Sequence, residues 1–592
     1  MEQSKFFKQI LIWRYKYISE KNFVYFLAIL IGLLSGLVSV LLKNITFGIQ
    51  KVLKYGITIS DNQLYFILPI IGLLLVYLFI KYVAKQDVGH SLSNVLYSIS
   101  KKDGILSKKS MYYPLITAPL TVGFGGSVGL LGPAIASAAS VSSNVSRWFH
   151  ADRKIRSLLI GCAAAGAIAS IFKSPIAAII FAIEVFSLDL TFASLLPLLM
   201  ASISSVLTSY FFLGDDVIFN FMVSDKFEIK DTLFFVVLGI GTGIASIYFS
   251  KIHFKITSLF SLLKSRRQKL IIGGLAIGVM LYFIPPLYGE GFGFINDLMA
   301  GDHIKALGKT PFDSYLDNIW VVILLLIGIT IFKAIAMTTT LAAGGSGGII
   351  IPTLVMGSAL GNVVAKIINN IGFEFSVSES NFTLVGMAGL IAGVLHAPLT
   401  AIFLIAEITG GYQLFVPLMI TVSMSFIITK NSLEYTIYNK ELAEKGALLT
   451  QDKDKNVLTL MKLDNVIEKD FIQLHPEMTL GDMLMKGVSK SSRNLFPVTN
   501  EHGQFMGIIL LDNIRSVMFD QSLYESTTVE TFMHSPPDFI IYEKDDMKAV
   551  MEKFQSSKAW NLPVIKDNKY YGFVSKSKLL TAYRNELINF TS

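Results

Sequence analysis

At 592 residues, 52% of them hydrophobic and 16% charged, and with a mean hydropathy of +0.57, the chain is too apolar for a soluble multidomain protein and too long for one domain; it reads as membrane-embedded. The formal charge of +8 is small for this length, and no basic patch interleaved with aromatics accompanies it, so nucleic acid is excluded as a partner and the lipid bilayer is the expected one. The single cysteine, Cys162, lies in the apolar run GCAAAGAIAS, which rules out an intrachain disulfide and reads as a packing thiol.

Lys5, Lys8, Arg14, Lys16 and Lys21 precede the first apolar run, and no small-residue cleavage site follows, so residues 1–21 read as a cytoplasmic N-terminal segment. Phe23 to Leu42 and Asn62 to Ile80 are each apolar and long enough to span a bilayer. Asp87 to Lys102 follows, with the polar, turn-prone GHSLS at 89–93 as the entry to a half-helix. Ser110 to Ser146 carries no charge but is broken by Pro114, the glycines at 123–132 and Pro133, so it divides into short or tilted helices that meet at a turn. Ser157 to Phe172, a proline-started helix from Pro175 to Glu184, and a span within Thr191 to Gly214 complete a first half, which the polar stretch Asp215 to Asp231 separates from the second. Further spans are expected near Thr232 to Ser250, Leu270 to Gly289, Asn318 to Ala342, Gly348 to Ala365, Asn381 to Ala406 and Leu414 to Thr429, and membrane character stops near Lys430.

Two stretches echo each other across the halves: GGSVGLLGP at 125–133 and GGSGGIIIP at 344–352, an offset of 219. A second pair, SPIAAIIFAIE at 174–184 and APLTAIFLIAE at 397–407, follows at an offset of 223, so the membrane part is a duplication over about 22–214 and 232–440. A Gly-Gly-Ser turn ending in proline suits a backbone that bends sharply and then starts a helix, with Pro133 or Pro352 in the first turn where its missing N–H costs nothing. Helix starts of this kind carry roughly +0.5 charge each, and irregular backbone at membrane depth is tolerated only in protein or at a wet cavity, so the natural guest is an anion.

From Leu433 the charge density rises, residues 441–456 read as a linker, and Val457 to Ser592 alternates short apolar strands with amphipathic helices. LFPV at 495–498 followed by GIILL at 507–511 matches NLPV at 561–564 followed by GFVS at 572–575, giving two modules, 457–520 and 525–592. This tail resembles a tandem pair of CBS domains.

With the Gly-rich turns, GHSLS, the SPIAA helix and Tyr438 in TIYNKELA, the whole chain resembles the CLC chloride channels and transporters. The resemblance implies an all-α polytopic membrane domain of inverted repeats with broken helices over 22–440, a cytosolic α/β CBS pair behind it, a homodimer in the cell membrane, and one chloride pathway per subunit. It carries anion binding onto Gly129, Leu130, Leu131 and Gly132 (GLLGP), onto Gly348, Ile349, Ile350 and Ile351 (GGIIIP), onto Tyr438, and onto either His90 or, with a one-residue slip, Ser91. Leu131 stands where the family has its gating glutamate and Val185, after Glu184, where its exchangers have the proton glutamate. An adenine nucleotide at the CBS pair is the one ligand besides chloride that the resemblance brings, and the residues aligned with its ribose-binding aspartates, Asn513 and Lys578, weigh against it.

Protons do not cross an apolar stretch without titratable groups or water, so the missing carboxylates favour passive chloride conduction over proton antiport. The rivals are an antiporter that recruits Glu184 or His90 and, in another class, a CBS-regulated cation transporter, which would call for pore carboxylates or carbonyl cages. No catalytic nucleophile, metal-ligand cluster or Walker loop appears, so neither an enzyme nor a metal site is expected. Glu184 and Glu407 end matching helices and read as helix-terminus residues; Lys333 reads as paired or snorkelling, or as a source of positive potential near the pathway.

Overall fold

Long apolar runs in a bilayer satisfy their backbone only by hydrogen bonding within helices, and the computed structural model is helical throughout the described part of that region. It describes residues 14, 16–57, 63–85, 92–187, 191–214, 227–308, 310–372, 376–409, 411–445, 447 and 453–591. His90, Ser91 and most of the N-terminal segment lie outside the described residues. The chain divides into two compact units, the boundary falling between Lys445 and Gly446.

The first half of the helical unit comprises α1 (Glu20–Ile57), α2 (Gln63–Leu78, prolonged by a π-helical turn Phe79–Ala84), α3 (Leu92–Lys101), α4 (Tyr113–Gly123), α5 (Leu131–Trp148), α6 (Arg153–Phe172), α7 (Pro175–Phe186) and α8 (Phe192–Leu213). The second comprises α9 (Thr232–Ser261), α10 (Arg266–Phe283), α11 (Phe292–Met299), α12 (His303–Leu307), α13 (Ile319–Ala342), α14 (Ile350–Asn370), α15 (Glu379–Leu395), α16 (Pro398–Ile408), α17 (Phe415–Ser432) and α18 (Ile437–Glu444). Among the described residues, eight helical stretches are long and apolar enough to cross a membrane.

The run Asn381 to Ala406, expected as one span, is two helices: His396 turns left-handed at φ 54° and α16 restarts with Pro398 in its first turn. Hydropathy does not register this break because both sides are apolar; Pro398, which has no N–H to continue the ladder and takes a first-turn position, marks the restart. The same device closes α6 in the first half, where Lys173 adopts φ 55° ahead of Pro175. Its ammonium donates to the Gly214 carbonyl at 2.8 Å and lies over the Tyr210 ring, so Lys173 ties the end of α6 to the end of α8.

Packing repeats with the sequence: α1 lies on α8 as α9 lies on α17, and α5 on α6 as α14 on α15. Lipid tails are as apolar as leucine, so these contacts rest on small residues that let backbones approach. A Cβ built on Gly32 would stand 2.3 Å from the Ala201 carbonyl oxygen, and one on Gly239 2.9 Å from that of Thr421. Outward, Leu196, Leu199, Ile203 and Leu207 of α8 remain exposed at helical spacing, as a lipid-facing stripe does.

The halves lock together at α7 and α16. Glu184, late in α7, accepts from the Leu399 amide at 3.0 Å and the Thr400 amide at 2.8 Å at the start of α16. Glu407, late in α16, accepts from the Ile176 amide at 3.1 Å and the Ala177 amide at 2.8 Å at the start of α7. Each carboxylate thus leaves the negative end of its own helix and caps the positive end of the other, satisfying donors that no helix can satisfy internally.

The second unit places its leading helix α19 (Lys453–Leu460) against a sheet of order β1-β6-β5-β4, formed by β1 (Ile467–Glu468), β4 (Ile540–Ile541), β5 (Asn561–Lys566) and β6 (Lys569–Ser575). The remaining strands, β2 (Leu495–Thr499) and β3 (Phe505–Leu510), pair antiparallel. The modules repeat each other's pairings: Leu474 bridges Val498 in parallel as Ile540 does Val564, and Ile508 bridges His534 antiparallel as Val574 does Ile467. The segment that leads each module therefore joins the sheet of the other, and Glu468 fastens this exchange by accepting from Arg493 at 2.7 Å and Ser575 at 2.5 Å.

Replacing Glu184 or Glu407 with alanine is expected to destabilise the helical unit by about 1–2 kcal/mol each, the usual cost of losing a helix N-cap. Thermal unfolding of the purified variants in detergent checks this; an unchanged midpoint for both would remove the capping role.

Candidate functional site

The two Gly-rich turns meet. Gly125 and Gly344 adopt φ 96° and 102°, a region that favours glycine, and reverse the chain after α4 and α13. The next amides fold back on their own halves, Gly126 to the Thr121 carbonyl at 2.8 Å and Gly345 to the Thr340 carbonyl at 2.9 Å. The serines then cross over: the Ser127 amide donates to Thr340 Oγ1 at 3.3 Å and the Ser346 amide to Thr121 Oγ1 at 3.0 Å.

Next the turns pair directly, Gly129 N–H to the Gly348 carbonyl at 3.0 Å and Gly348 N–H to the Gly129 carbonyl at 2.7 Å. This corrects the expectation that both amides serve an anion: they are used to fuse the turns. The fit admits no side chain, since a Cβ on Gly348 would stand 2.6 Å from the Gly132 nitrogen.

Immediately beyond, α5 begins at Leu131 and α14 at Ile350. Intrahelical bonding starts only with Ala134 N–H to the Leu130 carbonyl and Thr353 N–H to the Ile349 carbonyl. The amides of Leu131, Gly132, Ile350 and Ile351 therefore precede any intrahelical acceptor, and prolines occupy the next positions with no donor to add. Two helix ends of positive partial charge converge there, and such ends can hold an anion without a formal charge.

Gly132, Gly348, Ile349 and Tyr438 line one cavity of about 260 Å³, together with Ser93 and His253. Tyr438 is buried, and its hydroxyl faces the Ile349 N–H. The cap of α18, Thr436 Oγ1 accepting from the Asn439 amide at 3.1 Å, and Ser93 Oγ donating to the Tyr438 carbonyl at 3.1 Å, hold the tyrosine in place. Ser93 is thus the described hydroxyl of GHSLS at this cavity. His253 of α9 had no motif to announce it; its Nδ1 lies 3.3 Å from Thr338 Oγ1.

Leu131, Ile350 and Ile351 are buried, and Leu131 brings no titratable group to the start of α5. Val185 is half-buried on α7, and its neighbour Glu184 is committed to α16. Sequence reading missed a further carboxylate. Glu290, in the turn between α10 and α11, accepts from the Leu130 N–H through Oε1 at 2.9 Å. Lys333 does not snorkel: it is fully buried and donates to the Leu287 and Gly289 carbonyls at 3.1 and 2.9 Å, bracing the turn that carries Glu290. Lys43 of α1, also buried, donates to the Ile171 carbonyl at 2.9 Å. The sequence signal was faint, one acid between glycines in YGEGFG, directly after the span expected to end at Gly289.

Broken helices from two repeats thus bring their N-termini together beside one cavity, which Glu441 also lines. The voltage gated chloride channel family matches residues 71–430, and the chain belongs to that family; a CBS domain matches residues 529–585. A putative chloride channel protein ClcB-like of Ralstonia nicotianae is 25% identical over 382 residues, 64% of this chain and 85% of that protein. A voltage-gated ClC-type chloride channel ClcB of Escherichia coli is 24% identical over 347 residues, 58% of this chain and 78% of that one. The fold is shared with a slow cyanobacterial Cl−/H+ antiporter (TM-score 0.60, 20% identity, 71% of this chain and 97% of that one). It is also shared with a eukaryotic CLC transporter (TM-score 0.57, 15% identity, 94% and 97%). The protein is therefore a multi-pass membrane chloride channel or transporter of the CLC family, with a C-terminal CBS pair.

Gly348→Ala is expected to force the turns apart, at about 1–3 kcal/mol for overpacking a filled interior. A lowered thermal midpoint together with loss of chloride flux in liposomes checks it; a variant with unchanged flux would show that the head-to-head contact is dispensable.

Proposed function

We propose that the protein is a homodimeric, passive chloride channel of the cell membrane, with its N-terminus and CBS pair in the cytoplasm. The observation that carries this reading is the chemistry at the two proton positions: Leu131 and Val185 can neither bind nor release a proton. Glu184, the nearest carboxylate in sequence to Val185, is occupied as the cap of α16, which speaks against its recruitment as a relay. A chain of titratable groups is what coupled exchange requires.

Chloride in this reading is held by the first-turn amides of α5 and α14, among Leu131, Gly132, Ile350 and Ile351, and by the Tyr438 hydroxyl. A phenol suits the task because it donates a hydrogen bond while staying neutral beside an anion. The absence of a full charge at the contact keeps binding weak enough for rapid exit.

The CBS pair acts as a scaffold for the dimer in this reading. The two positions aligned with ribose-binding aspartates are engaged elsewhere: the Asn513 amide with His534 Nδ1 at 3.1 Å, and the Lys578 ammonium with the Ile467 carbonyl at 3.2 Å. Adenine nucleotide is accordingly not expected to bind.

Simultaneous recording of chloride and proton movement from liposomes, with the potential clamped by potassium and valinomycin, tests the reading. Chloride efflux without proton uptake is expected; chloride-driven proton pumping would overturn it, and potassium or sodium flux in place of chloride would move the protein to another class. Tyr438→Phe removes one hydrogen bond worth about 1 kcal/mol, so calorimetric chloride affinity is expected to fall about fivefold with the fold intact.

A further inference from the structure

Leu130 and Ile349 are equivalent positions of the two repeats, each just ahead of the first residue of its helix, α5 or α14. Their amides meet different partners. The Ile349 N–H faces a neutral hydroxyl, that of Tyr438, at the cavity. The Leu130 N–H is taken by an anionic group, Glu290 Oε1, at 2.9 Å. An N-terminal amide that would serve a permeating anion thus already has a carboxylate bound to it.

The surroundings are built for a charge at this spot. Glu290 is buried at 7% exposure, where an unpaired carboxylate would cost several kcal/mol. Lys43 of α1 and Lys333 of α13 are the charged groups that face it, and both ammoniums are anchored on backbone carbonyls. Gly289 at φ 59° and Gly291 at φ 90° flank Glu290 on both sides, so the turn that carries it takes a left-handed backbone that favours glycine.

We propose that Glu290 is the gating carboxylate of this chain, ionised when it holds the Leu130 amide against the permeating anion, and protonated when it releases that amide to it. The proton comes from solvent, adds to a carboxylate oxygen, and returns to solvent on closing, with no second carrier to take it across. Gating of this form rests on the passive conduction proposed above and adds to it a pH dependence that Leu131 alone would not give. Competition for one amide has a second signature: high chloride favours the displaced, protonated carboxyl and moves the pH midpoint upward.

The test uses the full-length protein in liposomes, with chloride and proton fluxes recorded together from pH 5 to pH 8, equal on both sides. Wild-type chloride flux is expected to rise as pH falls, by at most about tenfold per unit, the limit for one titrating carboxyl. Glu290→Gln is expected to conduct at a high level independent of pH. A flat wild-type profile, a Gln variant with the wild-type profile, or a monodisperse Gln variant without flux at any pH would each overturn the proposal. Should that variant not be recovered, Lys43→Met decides: loss of a neighbouring cation favours the neutral carboxyl, so the midpoint must move to higher pH, and an unmoved midpoint overturns gating by Glu290. Coupled proton pumping in the wild type would sink the passive reading, while the pH profile of Glu290→Gln still decides separately whether this residue gates.

Discussion

The structure turns on one constraint: a helix that starts inside an apolar interior exposes amide donors that nothing in the helix can satisfy. This chain starts α5, α7, α14 and α16 in that setting and answers them in two ways. At α7 and α16 the answer is covalent to the protein, a glutamate from the partner helix. At α5 and α14 the turns answer part of the demand by pairing Gly129 with Gly348, and first-turn amides are left for a mobile guest.

Duplication supplies both sets at once, and the repeats stop matching at one pair of amides. The crossing bonds from Ser127 and Ser346 to the threonines of the opposite half are near copies. The amides of Leu130 and Ile349 are not: one meets Glu290, from the turn after α10, and the other Tyr438, from α18 at the end of the second half. A symmetric scaffold therefore presents an asymmetric pair of helix starts, with a titratable group at one and a neutral hydroxyl at the other.

Much of this was legible in the chain because the physics is local. A Gly-Gly-Ser turn ending in proline announces a helix start, and two such turns at a common offset announce a repeat. What stayed hidden depends on pairing across the fold. Gly129 and Gly348 are 219 residues apart, and nothing in either motif says that they bond to each other. Glu290 lies 160 residues from the amide it binds, and a lone acid beside an apolar run reads as the end of a span. The break between α15 and α16 escaped for a different reason: hydropathy averages over Pro398, while backbone geometry does not.

Glu290 also supplies the counter-charge that the buried ammoniums of Lys43 and Lys333 face. Counted as formal charges with both ammoniums protonated, Lys43, Lys333 and Glu290 sum to one positive charge when the carboxylate is ionised and to two when it is protonated. Protonation therefore makes two changes of the same sign: it vacates the Leu130 amide, and it leaves the lysines without their counter-charge just where a chloride ion would replace it. Coulomb interactions in so buried a place fall off slowly with distance, so the second change reaches an anion that touches neither lysine. An anion entering the vacated amide restores the original charge sum, and the cluster is then as well compensated open as closed. In the proposed gate carboxylate and chloride thus exchange with the charge sum kept, which a gate without a second proton carrier requires if it is to open without moving protons across the membrane.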